Sequence, residues 1–481
     1  MTEKKISFPR PERVLLLIVL ASAFLALLQS SRLIGLPYQI DYGEGLMLDG
    51  AIRVRHSQPL YPDPFRFPVV IQEYGPVAYA AAAAVSRMGA PSFIGGRALV
   101  FASAIALSFL IAWLLRQSTG SWWIGLSFGL LFLTLPAIRL WLCLLRADMI
   151  GLVLSFVGIT LYQTKRRWWC APFFALAIFS KYTLVAAPVA VFAHLMLNRK
   201  MKEAADFAAG MGALCLACFA AMQWTTGGWF AFHMFGTHSD RYSLAHFFLQ
   251  AGLVWLSAPV VTALALWYAV RDWRSHALAF PPLYLAMSSL TTLTAGKIAA
   301  NTNHFIEWMG AACLCAGLGY SAVLSKHFNK AMPATLILST SVLVGSIVQS
   351  TQKSQPTDGL NECGLAYQYV AKSTASRVFS ENLGALLMAG KPVLVSDPFV
   401  YLQSTKHGLW PDRQVEELVN ERYFDLIVMS NDPAATRLQS ADVWPDPLLD
   451  AIGRNYRPVE RFSCRNAGVM MEPVGPSNAP R

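Results

Sequence analysis

Residues 14–33 read VLLLIVLASAFLALLQSSRL and form the first of many apolar stretches in a chain of 481 residues. A helix needs about 17–25 mostly apolar residues to cross a bilayer. This stretch is long for a signal peptide and no clear small-residue cleavage site follows it, so we expect a retained first helix. The whole chain is 55% hydrophobic and only 14% charged, which favours a membrane protein over a soluble one.

The apolar pattern recurs along the first 350 residues. It predicts about eleven transmembrane helices near 14–34, 94–115, 121–138, 144–162, 168–180, 183–198, 207–225, 247–270, 277–294, 303–323 and 333–350. The stretch 77–85 is too short to cross, and we expect it to lie at or re-enter the membrane interface. The predicted fold class is therefore an α-helical polytopic membrane protein.

The formal net charge of +11 is unevenly distributed. Residues 1–350 hold 26 Lys and Arg against 13 Asp and Glu, whereas residues 351–481 hold 13 against 15. The excess of cations lies in short loops between alternate spans, which is the positive-inside pattern. This pattern orients the N-terminus towards the cytoplasm and speaks against a nucleic-acid partner.

The character of the chain changes after residue 350. Residues 351–359 are polar and contain Pro356, which is typical of a linker. Residues 392–396 and 424–429 indicate short buried strands, and residues 374–388 and 412–422 have helical patterns. We expect residues 1–350 to form the transmembrane domain and residues 351–481 to form a small extracytoplasmic α/β domain. Its tail, from residue 472, is expected to be disordered.

The extracytoplasmic part contains two of the eight cysteines, Cys363 and Cys464. In an oxidising compartment these two could form a disulfide. Two unrelated buried thiols are the alternative. The other six fall within or at the ends of apolar spans, where cysteine packs as a small apolar residue.

The first outward loop, residues 35–93, contains Ile40-Asp41-Tyr42-Gly43-Glu44-Gly45. If a helix begins here, Asp41 and Glu44 share one face, and two carboxylates could serve as a general base and as a metal or hydroxyl ligand. A helix cap by Asp41 is the alternative. Further along the loop, Glu73 precedes Tyr74-Gly75-Pro76 and could cap the following helix or face a substrate.

Several polar residues at span ends also fall on the outward side. Arg146 could bind an anionic group, and Asp148 beside it could cap the fourth span. Lys181 interrupts an apolar pair of helices, so it needs a partner or an anionic ligand.

A last polar cluster runs from Lys297 to Glu307. Asn303 and Glu307 are four residues apart and would face the same way on a helix. Asn303 and His304 have hydrogen-bonding groups suited to sugar hydroxyls or phosphate. The alternative for Glu307, which lies inside an apolar span, is a structural pair with a cation.

These motifs, in this order, resemble those of the GT-C superfamily of membrane glycosyltransferases. More narrowly, they resemble the bacterial branch that contains aminoarabinose transferases and lipopolysaccharide galacturonosyl- and mannosyltransferases. The resemblance covers residues 1 to about 350. It rests on Asp41-Tyr42-Gly43-Glu44-Gly45, Leu60-Tyr61, Tyr74-Gly75-Pro76, Arg146-Ala147-Asp148-Met149, Phe179-Ser180-Lys181 and Asn303-His304-Phe305-Ile306-Glu307.

The resemblance implies transfer of a sugar from a polyprenyl-phosphate-linked donor to a lipid, glycan or protein acceptor. The reaction would take place at the outer face of a bacterial cytoplasmic membrane. The family's catalytic carboxylate falls on Asp41, with Glu44 supporting it. Many relatives have adjacent Asp-Glu, but here Gly43 precedes Glu44, so either acid could be the base.

The remaining site residues follow from the same resemblance. Arg146, Lys181 and Lys297 would bind the donor phosphate, and the substrate contacts would be Glu73, Tyr74, Asp148, Asn303, His304 and Glu307. No cofactor is indicated, and a divalent metal stays open. The alternatives in other classes are a transporter or flippase of lipid-linked sugars and a non-catalytic protein of envelope glycan assembly.

Overall fold

The structure is a computed structural model. It describes residues 10–86, 90–237, 241–274, 279–297, 300–326, 328–352, 357–406, 408, 414–431, 445–464 and 467–475.

The first part of the chain is helical. Its helices are α1 Pro11–Ile34, α2 Tyr42–Arg55, α3 Pro76–Val85, α4 Ile94–Thr119, α5 Trp122–Thr134, α6 Pro136–Arg139, α7 Ala147–Gln163, α8 Arg167–Ile178, α9 Ala186–Leu197, α10 Met201–Thr225, α11 Leu244–Ser257, α12 Pro259–Arg274, α13 Phe280–Thr291, α14 Ile306–Lys326 and α15 Phe328–Gln352. Short 3-10 or π turns lie at Leu140–Leu142, Phe232–Gly236, Thr292–Gly296 and Thr302–Phe305. One large apolar core, formed by most of these helices, holds the bundle together.

Four of the described helices are long and apolar enough to cross a membrane, or up to six spans if two bent pairs are included. The chain is thus a multi-pass membrane protein, while the number of about eleven spans stays a prediction. Two predicted spans, 121–138 and 247–270, are broken by 63° and 96°. The breaks precede Pro136 and Pro259, because proline lacks an N–H and disfavours helical backbone in the residue before it.

The C-terminal part contains a four-stranded sheet of order β1-β2-β4-β3. The strands are β1 Val378–Ser380, β2 Leu426–Met429, β3 Tyr456–Arg461 and β4 Val469–Pro473. β1 and β2 are parallel, and the other neighbours are antiparallel. The helices are α16 Thr357–Lys372, α17 Leu383–Met388, α18 Pro398–Lys406, α19 Gln414–Asn420 and α20 Asp446–Asn455. A disulfide joins Cys363 to Cys464, the pair named from the sequence.

Several boundaries differ from the prediction. Val378–Ser380, inside a predicted helix, is a strand, because pairing with β2 outweighs local propensity. Residues 392–396 do not form a strand of the sheet. The predicted linker overlaps the end of α15 and the start of α16, and the predicted tail overlaps β4. Residues 476–481 lie outside the described residues.

The C-terminal sheet domain is joined to the first outward loop by backbone hydrogen bonds. Val69 N–H donates to Leu394 O at 2.9 Å, and Ser396 N–H donates to Val69 O at 2.9 Å. Val69 and Ile71 are buried in the same apolar cluster as Phe379, Ile427 and other residues of the sheet domain. The loop and the C-terminal domain therefore pack against each other as one unit.

Candidate active site

The outward loop turns into helix α2 at Asp41. Asp41 has extended backbone, with φ −124° and ψ 146°, and its carboxylate accepts a hydrogen bond from Gly43 N–H. The carboxylate of Glu44 reaches back to the N–H of Asp41, which completes a capping box. The helix start considered from the sequence is present, and the cap by Asp41 that was named as the alternative is formed, while Asp41 remains a candidate functional group.

Glu44 is fully buried, and so is its partner Arg97 in α4. Arg97 Nε donates to Glu44 Oε1 and Arg97 Nη2 donates to Glu44 Oε2, both at 2.7 Å. The same carboxylate accepts from Ile40 N–H at 2.6 Å and from Leu145 N–H at 2.9 Å. Both oxygens of Glu44 thus accept hydrogen bonds from the protein itself. This geometry makes Glu44 a structural group and disfavours it as a base.

Asp41, in contrast, faces a cavity. Its Oδ1 accepts a hydrogen bond from Arg146 Nη1 at 2.8 Å, and the two side chains are 16% and 17% exposed. The guanidinium lies over the rings of Tyr74 and Trp141, 5.4 Å and 5.9 Å from their centroids. Burial raises the pKa of Tyr74, so its phenol stays neutral beside the ion pair. The cation–π contacts and the ion pair together hold the acid in one orientation.

Lys181 forms an ion pair with Asp148. Lys181 Nζ donates to Asp148 Oδ1 in a short ion pair, and Asn303 Nδ2 donates to the same oxygen at 3.1 Å. All three residues are buried. A buried lysine needs such a partner, because isolated charges are costly away from water.

A cavity of about 350 Å³ brings most of the predicted site residues together. Its lining residues are Asp41, Tyr42, Leu46, Glu73, Tyr74, Trp141, Arg146, Lys181, Tyr182, Thr183, Lys297, Ala300, Asn301, Asn303, His304, Asp397, Phe399 and Val400. Three cations and three carboxylates meet there, so the cavity can hold both an anionic group and a neutral polar one.

Asp148 and Glu307 line a smaller cavity of about 20 Å³ that shares lining residues with the larger one. Glu307 is buried and accepts a hydrogen bond from Tyr284 OH at 3.2 Å. His304 lines both cavities, and its Nδ1 lies 2.8 Å from Thr294 Oγ1. Asp148 and Glu307 are therefore placed to support the residues that line the larger cavity.

Metal binding has no cluster to support it in the described ranges, where no group of three or more His, Cys, Asp or Glu could hold an ion.

Three residues that shape the site, Arg97, Trp141 and Phe399, were not singled out from the sequence. Arg97 lies in an apolar span, and Trp141 lies at the end of another. Phe399 and Asp397 come from the C-terminal domain, far along the chain. Asp397 was indicated by the sequence, because Ser396-Asp397-Pro398 follows a predicted strand and ligands of α/β domains often sit at strand ends, with ordinary turn residues as the alternative.

Gly43 gives Arg146 the space to reach Asp41. A Cβ added at Gly43 would lie 1.5 Å from Arg146 Nη1. Gly43→Ala is therefore expected to displace the guanidinium and to lower turnover by about 10–10²-fold, since small misplacements are costly in active sites. Gly35→Ala is the matched control, because nothing lies within 4 Å of a Cβ there. Equal activity of the two variants would contradict the role given to the Arg146–Asp41 pair.

Comparison with solved structures places this arrangement in a known fold. ArnT from Cupriavidus metallidurans in the apo state matches with a TM-score of 0.63 and 13% identity, over 96% of this chain and 99% of that one. The chain has the GT-C fold. ArnT bound to undecaprenyl phosphate matches with a TM-score of 0.59 and 14% identity, over 97% and 99%. The archaeal oligosaccharyltransferase AglB from Archaeoglobus fulgidus, in complex with an inhibitory peptide and a dolichol-phosphate, gives 0.53 and 12%, over 92% and 72%.

The GT-C resemblance inferred from the sequence motifs is thereby confirmed at the level of the fold. No family model matches the chain, and no curated protein matches it.

Proposed function

We propose that this GT-C chain is a membrane glycosyltransferase that takes a sugar from a polyprenyl-phosphate-linked donor. The acceptor would be a lipid, glycan or protein at the outer face of the cytoplasmic membrane. The observation that carries the proposal is the cavity, in which Asp41 pairs with Arg146 and which Lys181 and Lys297 also line. Solved structures of the same fold contain undecaprenyl phosphate or dolichol-phosphate.

The residues have the chemistry that this reaction needs. A base removes a proton from the acceptor hydroxyl or amine while that atom attacks the anomeric carbon of the sugar. Asp41 is the partly exposed acid of the capping box, whereas Glu44 is held by Arg97, so we assign the base to Asp41. The leaving group is a lipid phosphate, and preorganised cations stabilise the charge that develops on it.

The cations divide their tasks by position. Arg146 pairs with Asp41, and Lys181 pairs with Asp148. Each cation therefore orients its acid, and both cations also line the cavity. Lys297 lies on the same cavity and is half-buried. We assign the donor phosphate to these three cations, and we assign the sugar and acceptor to contacts with Glu73, Tyr74, Asn303 and His304. Asp148 and Glu307 line the smaller adjoining cavity, and we assign them to positioning the residues of the larger one.

We further propose that the N-terminus lies in the cytoplasm and the C-terminal domain outside it. The positive-inside pattern of the basic loops supports this orientation.

A transfer assay in proteoliposomes tests the proposed reaction. The protein is incubated with a panel of polyprenyl-phosphate-linked pentoses, hexoses and uronic acids and with extracted envelope lipids, glycans and peptides. Release of polyprenyl phosphate is measured as well as label on the acceptor, because that product is common to every sugar. We expect release that depends on the acceptor. Movement of intact donor across the bilayer without cleavage would instead establish the flippase alternative.

A further inference from the structure

The helix that carries Asp41 is held on its outer side by the C-terminal domain. Tyr42, the next residue, donates its OH to Asp397 Oδ1 at 2.8 Å. The same OH accepts from Phe399 N–H at 3.0 Å. The rings of Tyr42 and Phe399 meet edge to face, with centroids 6.4 Å apart. Burial raises the pKa of Tyr42, so its phenol keeps the proton that it donates.

Asp397 is itself rigidly placed. It is 1% exposed, and its Oδ1 also accepts from Val400 N–H at 3.0 Å, so it caps the start of α18. The segment before it pairs with Val69 of the first loop. The fold of the C-terminal domain thus determines the position of Asp397, and Asp397 in turn binds Tyr42 through a hydrogen bond.

A second anchor lies on the other side of Asp41. Gln39 Oε1 accepts from Gly384 N–H at 2.9 Å, and Gln39 N–H donates to Tyr367 OH at 3.0 Å. A Cβ added at Gly45 would lie 2.8 Å from Leu383 Cβ, so α2 and α17 are in close contact. The residues on both sides of Asp41, at positions 39 and 42, are therefore bound to the C-terminal domain.

We propose that the C-terminal domain sets the position of the catalytic carboxylate through the Tyr42–Asp397 contact, which makes Tyr42 and Asp397 positioning residues of the active site. The assignment rests on the proposed function insofar as Asp41 is the base. The contact between the domain and the start of α2 does not depend on it.

Four variants of the full-length protein test this proposal in the transfer assay. Tyr42→Phe and Asp397→Ala remove the hydrogen bond. They are expected to lower kcat by about 10–10²-fold with little change in KM, as misplacement of a reacting group does. Asp397→Asn keeps an oxygen that accepts from Tyr42 OH and Val400 N–H, so it is expected to recover most of the lost kcat. Tyr456→Phe is the control, because its OH bonds only to Phe424 O within the domain among the contacts described.

Hydrogen exchange at residues 42–46 provides a readout that needs no activity. We expect faster exchange there in Tyr42→Phe and Asp397→Ala and unchanged exchange in Tyr456→Phe. Wild-type kcat and exchange in Tyr42→Phe would overturn the proposal. If Asp397→Asn were as inactive as Asp397→Ala, the proposal would also be overturned. The negative charge of Asp397, rather than its hydrogen bond to Tyr42, would then be what activity requires. If Asp41 were not the base, the expected hydrogen-exchange result would still hold. Failure of the proposed function can therefore be distinguished from failure of the positioning contact.

Discussion

Asp41→Asn is expected to lower sugar transfer by about 10²–10⁴-fold, the range typical of a lost general base. The asparagine side chain still offers an oxygen to Gly43 N–H and to Arg146, so the helix cap and the orientation of the guanidinium are expected to survive. What it cannot do is remove a proton from the acceptor. The loss should therefore appear in turnover and leave the yield and thermal stability of the purified protein unchanged.

The control for Asp41→Asn is Asp63→Asn in the same loop. Asp63 pairs with Arg66, which is 85% exposed, so its neutralisation removes one loop carboxylate outside the cavity. Initial rates of polyprenyl phosphate release would be compared for the two variants and the wild type at saturating donor. Full activity of Asp41→Asn would reject Asp41 as the base and with it the proposed mechanism.

Arg97→Met is expected to destabilise the protein by about 3–5 kcal/mol, the cost of leaving one member of a buried ion pair without its partner. Both side chains are 0% exposed. Arg97 also donates to Leu33 O, Leu36 O and Tyr38 O, at 3.1, 2.6 and 2.7 Å. The substitution would therefore release the end of α1 and the start of the outward loop together with Glu44.

Thermal unfolding in detergent or nanodiscs measures this loss. Arg66→Met is the matched control, since exposed ion pairs contribute little. The double variant Glu44→Gln and Arg97→Met should be more stable than Arg97→Met, because it removes the buried charge as well as its partner. A melting temperature of Arg97→Met equal to that of the wild type would show that the pair does not hold the loop.

The two acids of the first loop illustrate what local sequence can predict. Their spacing is compatible with a helix start capped by Asp41, and the structure has this cap, because a cap and its third residue are neighbours in the chain. It left open which acid was functional. Arg97 binds the buried carboxylate of Glu44, which supports our proposal that Asp41 is the base, and it does so from a helix whose sequence is dominated by apolar residues.

The C-terminal domain shows the same division. The apolar run at 424–429 predicts a strand, and Leu426–Met429 forms one. The helix predicted at 374–388 is wrong at Val378–Ser380, which pairs with β2. Asp397 contacts Tyr42 across a separation of 355 residues. Patterns of hydropathy and charge reflect membrane solvation and contacts between residues a few positions apart. They therefore cannot predict a contact between residues as distant in the chain as Tyr42 and Asp397.

Length and hydropathy were sufficient for the membrane class, and the ordered motifs were sufficient for the GT-C resemblance. The orientation drawn from the basic loops stays a prediction. The tertiary structure alone decided that Glu44 is buried against Arg97, that Lys181 pairs with Asp148, and that the C-terminal domain completes the cavity. The reason is physical. Burial and ion pairing of a side chain depend on which distant segments fold against it, and a charged group takes its role from those partners.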